Sequence, residues 1–432
     1  MLDDSSRGPG GRRTILGVLP DAVLVWHRGR GHVEREGGPP HSVADPFAAA
    51  RELLGPCDPG LGDPRGPVGG LIGHIGYDLR TAIEALPDEN PSDSSLPDLR
   101  LGRYPLVLVK DETLDAAGVT ILQCADDPGQ EARRDAVLLA LRDAVPPPAP
   151  YRPEGARPAV SNLSRRAYEE RVEVIRELIR EGEVYQVNLT QRFLVRCEGQ
   201  PLAVYEALRQ RNPAALGAFI PDPGGAALLS YSPELFLEVA AGRVETRPIK
   251  GTLGRGLDPE SDGHQARLLA ASAKDRAELA MIVDLERNDL NRVCRPGTVA
   301  VAAHARVESF PTVHHLVSRV VGELEAGRDV FDLLRAALPC GSITGAPKIR
   351  AMEIIDRIEN LRRGPYTGAI GWFGRDGGAR LNVAIRTLVL EGGHARIHGG
   401  GGIVIDSDPA SEWEESVVKV RALLAGLGGE IE

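Results

Sequence analysis

Apolar residues after Ser164 recur every three or four positions: Tyr168, Val172, Ile175 and Leu178/Ile179, with Gly182 beyond them. The spacing predicts an amphipathic helix capped by Ser164 and stopped at Gly182. The next pattern, Val184 to Val195, alternates and predicts a strand with Gln186 near its start. Asp275 to about Val293 and Ala346 to Ile358 read as helices, the second entered through Gly345 and Pro347. A strand is expected at Ala379 to Leu390, with Arg386 inside it, and a second around Ala395. A glycine run at 399–402 then links it to Ile403–Ile405, and a last helix starts near Pro409. Upstream, Leu235 to Val239 and then Val244 read as strand, leading to Lys250 before a Gly-Thr turn. Strand candidates before residue 145 are Gly69–Tyr77 and Tyr104–Lys110, with a loop at Asp88–Ser95. Strands and helices mixed in this way predict an α/β or α+β layered fold.

Composition bounds this picture. Val145 to Pro158 contains six prolines, which exclude a continuous helix or central strand. It reads as a linker (145–158) between an amino-terminal region (1–144) and a larger unit (159–432). The length of 432 residues and 42% hydrophobic content allow one large domain or two ordinary ones. A net charge of −10 opposes a nucleic-acid footprint. The five cysteines (Cys57, Cys124, Cys197, Cys294, Cys340) contain no CxxC pair, so free buried thiols of a reducing cytoplasm are expected. Met1 to Arg13 lacks the apolar core of a signal peptide, and no run approaches the length of a membrane span. A cytoplasmic protein with no membrane partner is expected.

Several polar residues sit where apolar neighbours make them notable. Lys250 lies between Ile249 and Gly251-Thr252. Two readings are open to it: a solvated surface charge, or a partly desolvated nucleophile. Glu412 and Glu415 are three apart on an expected helix and share a face, and Glu278 is flanked by Ala277 and Leu279. They form either a solvated surface or, without Cys or His companions, a site for a hard ion such as magnesium. Cys340 to Lys348 fails as a phosphate loop, because Pro347 precedes the lysine and Ile349 follows it. It reads as a Gly-rich turn before a helix, able to offer N–H groups and hydroxyls to an anion. Arg386 among apolar neighbours needs a partner, either a structural carboxylate or a carboxylate ligand.

Together these runs resemble the chorismate-utilising enzymes: anthranilate synthase large subunits, aminodeoxychorismate synthase component I, isochorismate synthases and salicylate synthases. The likeness spans roughly residues 160–425. It is carried in family order by Gly182–Asn188, Ser232–Phe236, the Lys250 run, Lys274–Asp289, His315–Ser318, Gly341–Lys348, Gly364–Gly368, Arg386, the glycine run and Asp406–Glu415. Before the linker the likeness is looser, through Gly76–Leu79. The resemblance implies a layered sandwich of two packed β-sheets with helices outside.

Two positions point to a branch. Members that add water carry a lysine base where this chain has Gln186, and anthranilate synthases carry alanine where it has Lys250. Lysine within Pro-Ile-Lys-Gly-Thr is similar to the aminodeoxychorismate synthases. That resemblance implies amination of chorismate to 4-amino-4-deoxychorismate, for 4-aminobenzoate and folate synthesis. Ammonia would come from a separate glutamine amidotransferase subunit. It implies Mg²⁺ held by Glu278 and Glu415 with help from Glu412, and Lys419 neutralising those carboxylates. Arg386 and Tyr366 would grip the enolpyruvyl carboxylate. Gly251, Thr252, Gly400, Gly401 and Gly402 would add contacts, and Gln186 would also meet substrate. Lys250 would attack C2 as the C4 hydroxyl leaves, and ammonia would then enter at C4 and expel it. Glu234 would protonate the leaving hydroxyl, so its pKa must be raised; Lys250 must be partly neutral. His315 and Thr344 would support the C4 region. The alternatives are an anthranilate synthase large subunit and, from another class, a non-catalytic chorismate-binding subunit.

Overall fold

The computed structural model describes residues 1–5, 13–63, 65–112, 118–124, 129–143, 145–310 and 313–431. Residues 6–12 of the amino-terminal stretch and residue 144, the end of the first region, lie outside the described residues.

Two large sheets dominate, each of twelve strands among the described residues. The first runs from Gly429–Ile431 through Arg157–Ser161, Gln186–Arg196, His394–Ile403, Thr387–Glu391, Ala227–Ser232 and Leu216–Pro221. It continues into Leu2–Asp3, Arg13–Gly17, Leu106–Asp111 and Thr120–Gln123, while Gly345–Ala346 pairs with the start of Gln186–Arg196. The second runs from Ile249–Gly254 through Val313–Glu323, Arg243–Arg247, Leu235–Ala240, Ala379–Val383 and Ala369–Gly374. It continues into Gly70–Ile75, Leu99–Tyr104, Ala22–His27, Arg30–Arg35 and His41–Val43, and Ala300–Ser309 pairs with Val313–Glu323. Both sheets therefore draw strands from both sides of the proline-rich segment.

Strand alternation explains the layering. Ile72 pairs with Trp372, and this side of the second sheet packs on Ile15, Val107 and Val109 of the first. Ile370 likewise meets Ala218 and Leu228. The neighbouring Leu71–Phe373 pair points the other way, under the helices Pro46–Leu54 and Val330–Ala337, where Phe331 lies 5.2 Å from Phe373. Helices Arg165–Arg180 and Pro409–Gly426 pack together against the first sheet, and Ala273–Asn291 against the second. Each fully buried Leu, Ile or Phe contributes about 2 kcal/mol. The sandwich of two packed sheets with flanking helices is the expected fold.

Local expectations hold where periodicity decides. Ser164 caps Arg165–Arg180, accepting from Ala167 N at 3.2 Å, with Tyr168, Val172 and Ile175 buried. Several expectations need correction. The helix after Gly345 starts at Lys348, because Gly345–Ala346 is taken up as a short strand against Gln186–Val187. The single strand expected at Ala379–Leu390 is two, Ala379–Val383 and Thr387–Glu391, in different sheets. Arg386 occupies the crossing between them with a left-handed φ of 50°, so it is not in a strand. The glycine run does not link two strands but lies within one, His394–Ile403. Its partner Gln186–Arg196 comes so close that a Cβ on Gly400 would fall 2.2 Å from Leu189 O. Of the free cysteines, Cys57 is exposed and the other four are buried. No helix among the described residues is long and apolar enough to cross a membrane.

Candidate active site

A cavity of about 530 Å³ opens between the Ile249–Gly254 strand, the glycine strand and the helices Ala273–Asn291 and Pro409–Gly426. A bulge in Ile249–Gly254, with Gly251 at φ 66°, shifts register between Lys250 and Thr252. Lys250, Gly251 and Thr252 all line the cavity as a result, which regular alternation would forbid. Lys250 is thus on a strand rather than before a turn, and its Nζ lies 3.6 Å from Glu278 Oε2. Lys274, one helical turn before Glu278, approaches the other oxygen at 3.9 Å.

Glu234 stands at the start of Leu235–Ala240, 4% exposed. Burial pushes its carboxyl up to about 7, against the opposing pull of the Ser342 hydroxyl, Lys250, the Ile249 amide and Lys419. The raised pKa expected of this group is present. Burial pushes His315 down to about 4, so the ring is neutral; its Nδ1 lies 2.9 Å from Thr252 Oγ1.

The crossing at Arg386 delivers a guanidinium to the cavity, and burial lowers its pKa. No carboxylate pairs with it among the described residues, which removes the structural ion pair as its explanation. A half-buried cation with no carboxylate in contact suits an anionic ligand. Tyr366 lines the same wall, stacked on His398 at 4.9 Å, its phenol pushed up to about 12 by burial.

On Pro409–Gly426, Glu412 and Glu415 face Gly401, where a Cβ would fall 3.0 Å from Glu412 Oε2 and 3.4 Å from Glu415 Oε1. The glycine is what leaves room there. Lys419 Nζ contacts Glu415 at 2.7 Å and donates to Gly400 O at 2.8 Å. Burial works to raise Glu415, but Lys419, Lys250 and Lys274 together outweigh it and hold the carboxylate below its usual range. Glu412 is raised by burial, although Ser407 donates to it at 2.6 Å.

The donor set suits a hard cation: carboxylate oxygens beside a glycine-lined cradle, with no thiolate. No group of three acidic, His or Cys side chains is assembled as a metal cluster among the described residues, since Glu278 leans on Lys250 and Lys274. Mg²⁺ asks for less, binding through one or two carboxylates completed by ligand oxygens and water.

Of the residues singled out in the sequence, all line this cavity except Gln186 and Thr344. Thr344 is fully buried and donates to Cys340 O at 3.1 Å. Gln186 lies behind Gly402, its amide without a hydrogen-bond partner. Both shape the wall rather than the surface. Sequence reasoning passed over Lys274, His398, Asn188 and Ser342 as site residues. Lys274 was findable from its i,i+4 spacing to Glu278, and His398 from its two-residue spacing to Gly400.

A lysine, a carboxyl raised to about 7, an arginine with no carboxylate in contact and a carboxylate cradle meet around one cavity, a lining that suits a small polycarboxylate. The chain belongs to the chorismate binding enzyme family, which matches residues 10–425. It is 42% identical to aminodeoxychorismate synthase component 1 of Klebsiella aerogenes over 96% of this chain and 90% of that one. It is 36% identical to anthranilate synthase component 1 of Cereibacter sphaeroides, over 98% and 88%. The crystal structure of anthranilate synthase component I from Streptococcus pneumoniae TIGR4 superposes with a TM-score of 0.86 at 30% identity, covering 96% of this chain and 93% of that one.

Proposed function

We propose that this chorismate-utilising enzyme aminates chorismate at C4, as component 1 of an aminodeoxychorismate synthase. The observation that carries the reading is Lys250, on the cavity wall with Glu234 held protonatable near neutrality and Arg386 free to take a carboxylate. Arg386 and Tyr366 hold the enolpyruvyl carboxylate, and Gly251, Thr252 and Gly400 to Gly402 line the ring. Lys250 Nζ bonds to C2 as the C4–O bond breaks and the ring double bond shifts. Glu234 gives its proton to the departing hydroxyl, which leaves as water. Ammonia then bonds to C4, the double bond shifts back, and the C2–N bond to Lys250 breaks. His315, neutral and held by Thr252, supports the C4 side without competing for protons. Glu278 and Glu415, with Glu412, would hold Mg²⁺, which when bound neutralises the ring carboxylate.

The relatives named component 1 support a second component for this chain. We assign that role to a glutamine amidotransferase supplying ammonia, in the cytoplasm, for 4-aminobenzoate synthesis. The test is incubation with chorismate, Mg²⁺ and ammonium, with products identified by mass spectrometry. Aminodeoxychorismate is expected, and 4-aminobenzoate should appear only after a lyase is added. Anthranilate as product would overturn the assignment in favour of the second reading, which the anthranilate synthase relatives support. Adding the amidotransferase should allow glutamine to replace ammonium.

A further inference from the structure

Arg363 is not part of the cavity lining, yet its hydrogen bonds end on residues that are, or that adjoin them. The side chain is 2% exposed, with its guanidinium carbon 4.6 Å from the ring centroid of Tyr77 in the amino-terminal region. All five of its N–H donors are used. Two reach Glu359, Nε to Oε2 at 2.9 Å and Nη2 to Oε1 at 2.7 Å. The others go to Asn188 O at 2.6 Å, Ile343 O at 3.0 Å and Thr367 Oγ1 at 3.4 Å. Asn188 and Ile343 line the cavity, and Thr367 directly follows Tyr366, which does so too. Glu359 in turn accepts from Thr190 N and Oγ1, both at 2.9 Å, and Thr190 pairs with Gly400 of the glycine strand.

The backbone beside Tyr366 needs such support. Thr367 is β-branched and holds a left-handed φ of 60°, a conformation that costs energy unless its surroundings impose it. Its hydroxyl accepts from Arg363 and donates to Tyr366 O at 2.6 Å. Its amide donates to Ala384 O, and Ala384 N donates back to Gly368 O, each at 2.9 Å. Ala384 is two residues before Arg386, itself left-handed at φ 50°. The strained turn that carries Tyr366 and the crossing that carries Arg386 therefore lean on each other. Arg363 fixes that turn to two further parts of the cavity wall.

We infer that Arg363 is a positioning residue for the carboxylate grip, setting Tyr366 through Thr367 and Arg386 through the Thr367–Ala384 pair. The inference rests on the reading that Arg386 and Tyr366 hold the enolpyruvyl carboxylate. Glu359 neutralises Arg363, so unlike Arg386 it asks for no ligand. Its use to the site is the planar fork, which sends bonds in fixed directions to Glu359, Asn188, Ile343 and Thr367. A lysine carries its donors on one atom and cannot reach these partners together.

The test is chorismate binding by calorimetry, with Mg²⁺ and without ammonium, in the Lys250→Ala protein, where no turnover intervenes. Arg363→Lys keeps the charge against Glu359 and should raise the dissociation constant about tenfold. Thr367→Val removes the hydroxyl that joins Arg363 to the Tyr366 turn and should raise it about fivefold. This second variant decides the matter if Arg363→Lys does not fold; an unchanged dissociation constant overturns the inference. In an Arg386→Leu background the grip is already lost, so Arg363→Lys should then cost less than about twofold. An equal cost in both backgrounds would make Arg363 a structural residue only and overturn its positioning role. In turnover with Lys250 restored, Arg363→Lys should raise KM about tenfold and leave kcat within about threefold. If Arg386→Leu alone leaves the dissociation constant unchanged, the carboxylate reading fails and the positioning falls with it. Binding is measured before any product forms, so anthranilate as the product overturns the amination alone.

Discussion

Asp78 Oδ2 accepts a hydrogen bond from Gly364 N at 2.7 Å, tying the amino-terminal region to the loop that carries Tyr366. Asp78 is almost fully buried, with Arg80 at 2.7 Å on its other oxygen; Arg80 also reaches Asp356 at 2.7 Å. Arg362 bridges from Asp78, at 3.4 Å, to Asp98, at 3.0 Å. Asp78→Ala leaves Arg80 on Asp356 and Arg362 on Asp98 and Asp88 but removes the carboxylate they share, and should cost about 1.5–3 kcal/mol, measured by urea unfolding. Because the Tyr366 loop loses its tether, KM for chorismate should rise more than kcat falls.

Lys250→Ala removes the proposed nucleophile. Wild-type protein quenched during turnover should gain the mass of chorismate less water in intact-protein mass spectrometry. The variant should show no such gain, although Lys274 still neutralises Glu278. An adduct that survives the substitution would place the covalent bond elsewhere.

Glu234 and Glu286, the latter buried on the helix Ala273–Asn291, also link stability to pH. Both are raised above the ordinary 4.5, to about 7 and about 8, so the folded state binds protons that the unfolded chain releases. The stability they contribute is fully present below pH 4.5 and is lost as pH rises through 7 and 8. Replacing either by Gln should flatten that alkaline decline by about 2 kcal/mol, read as thermal unfolding against pH. Activity that depends on protonated Glu234 should fall over the same range. A wild-type stability that climbs with pH across it would contradict the burial argument.

Chelation should abolish turnover, and Mg²⁺ should restore it. Glu415→Gln should raise the Mg²⁺ needed for half-maximal rate at least about tenfold, followed by titration of the chelated enzyme. An enzyme indifferent to chelation would remove the metal from the proposal.

Arg386→Leu discards a half-buried charge that has no carboxylate in contact. Thermal stability should be unchanged or higher, while KM for chorismate rises about 10- to 100-fold, the worth of a charge-assisted hydrogen bond. Loss of stability with unchanged KM would mark the arginine as structural.

The sequence was most legible where structure is local. Ser164, Tyr168, Val172 and Ile175 announce their helix because the cap and the 3.6-residue repeat lie within one segment. Glu412 and Glu415 share a face for the same reason. The break at Arg386 was silent because Ala384 and Ile385 keep the segment apolar, and only the separation of two sheets forces the crossing. The glycine run carried no periodicity, having no side chains to alternate. Glu286, Cys340 and Ser342 are brought together by packing of a turn on a helix, which no spacing along the chain encodes.

The interleaving of strands in the two sheets reaches beyond the active site to how the chain is made. Gly70–Ile75 has Ala369–Gly374 as its neighbour, and Leu2–Asp3 has Leu216–Pro221. A ribosome delivers the early strands long before their partners, so open sheet edges must wait through most of synthesis. Such late closure makes for slow folding and an aggregation-prone nascent state. A break at the proline-rich segment would accordingly yield two fragments that regain structure by complementing one another, and neither by itself.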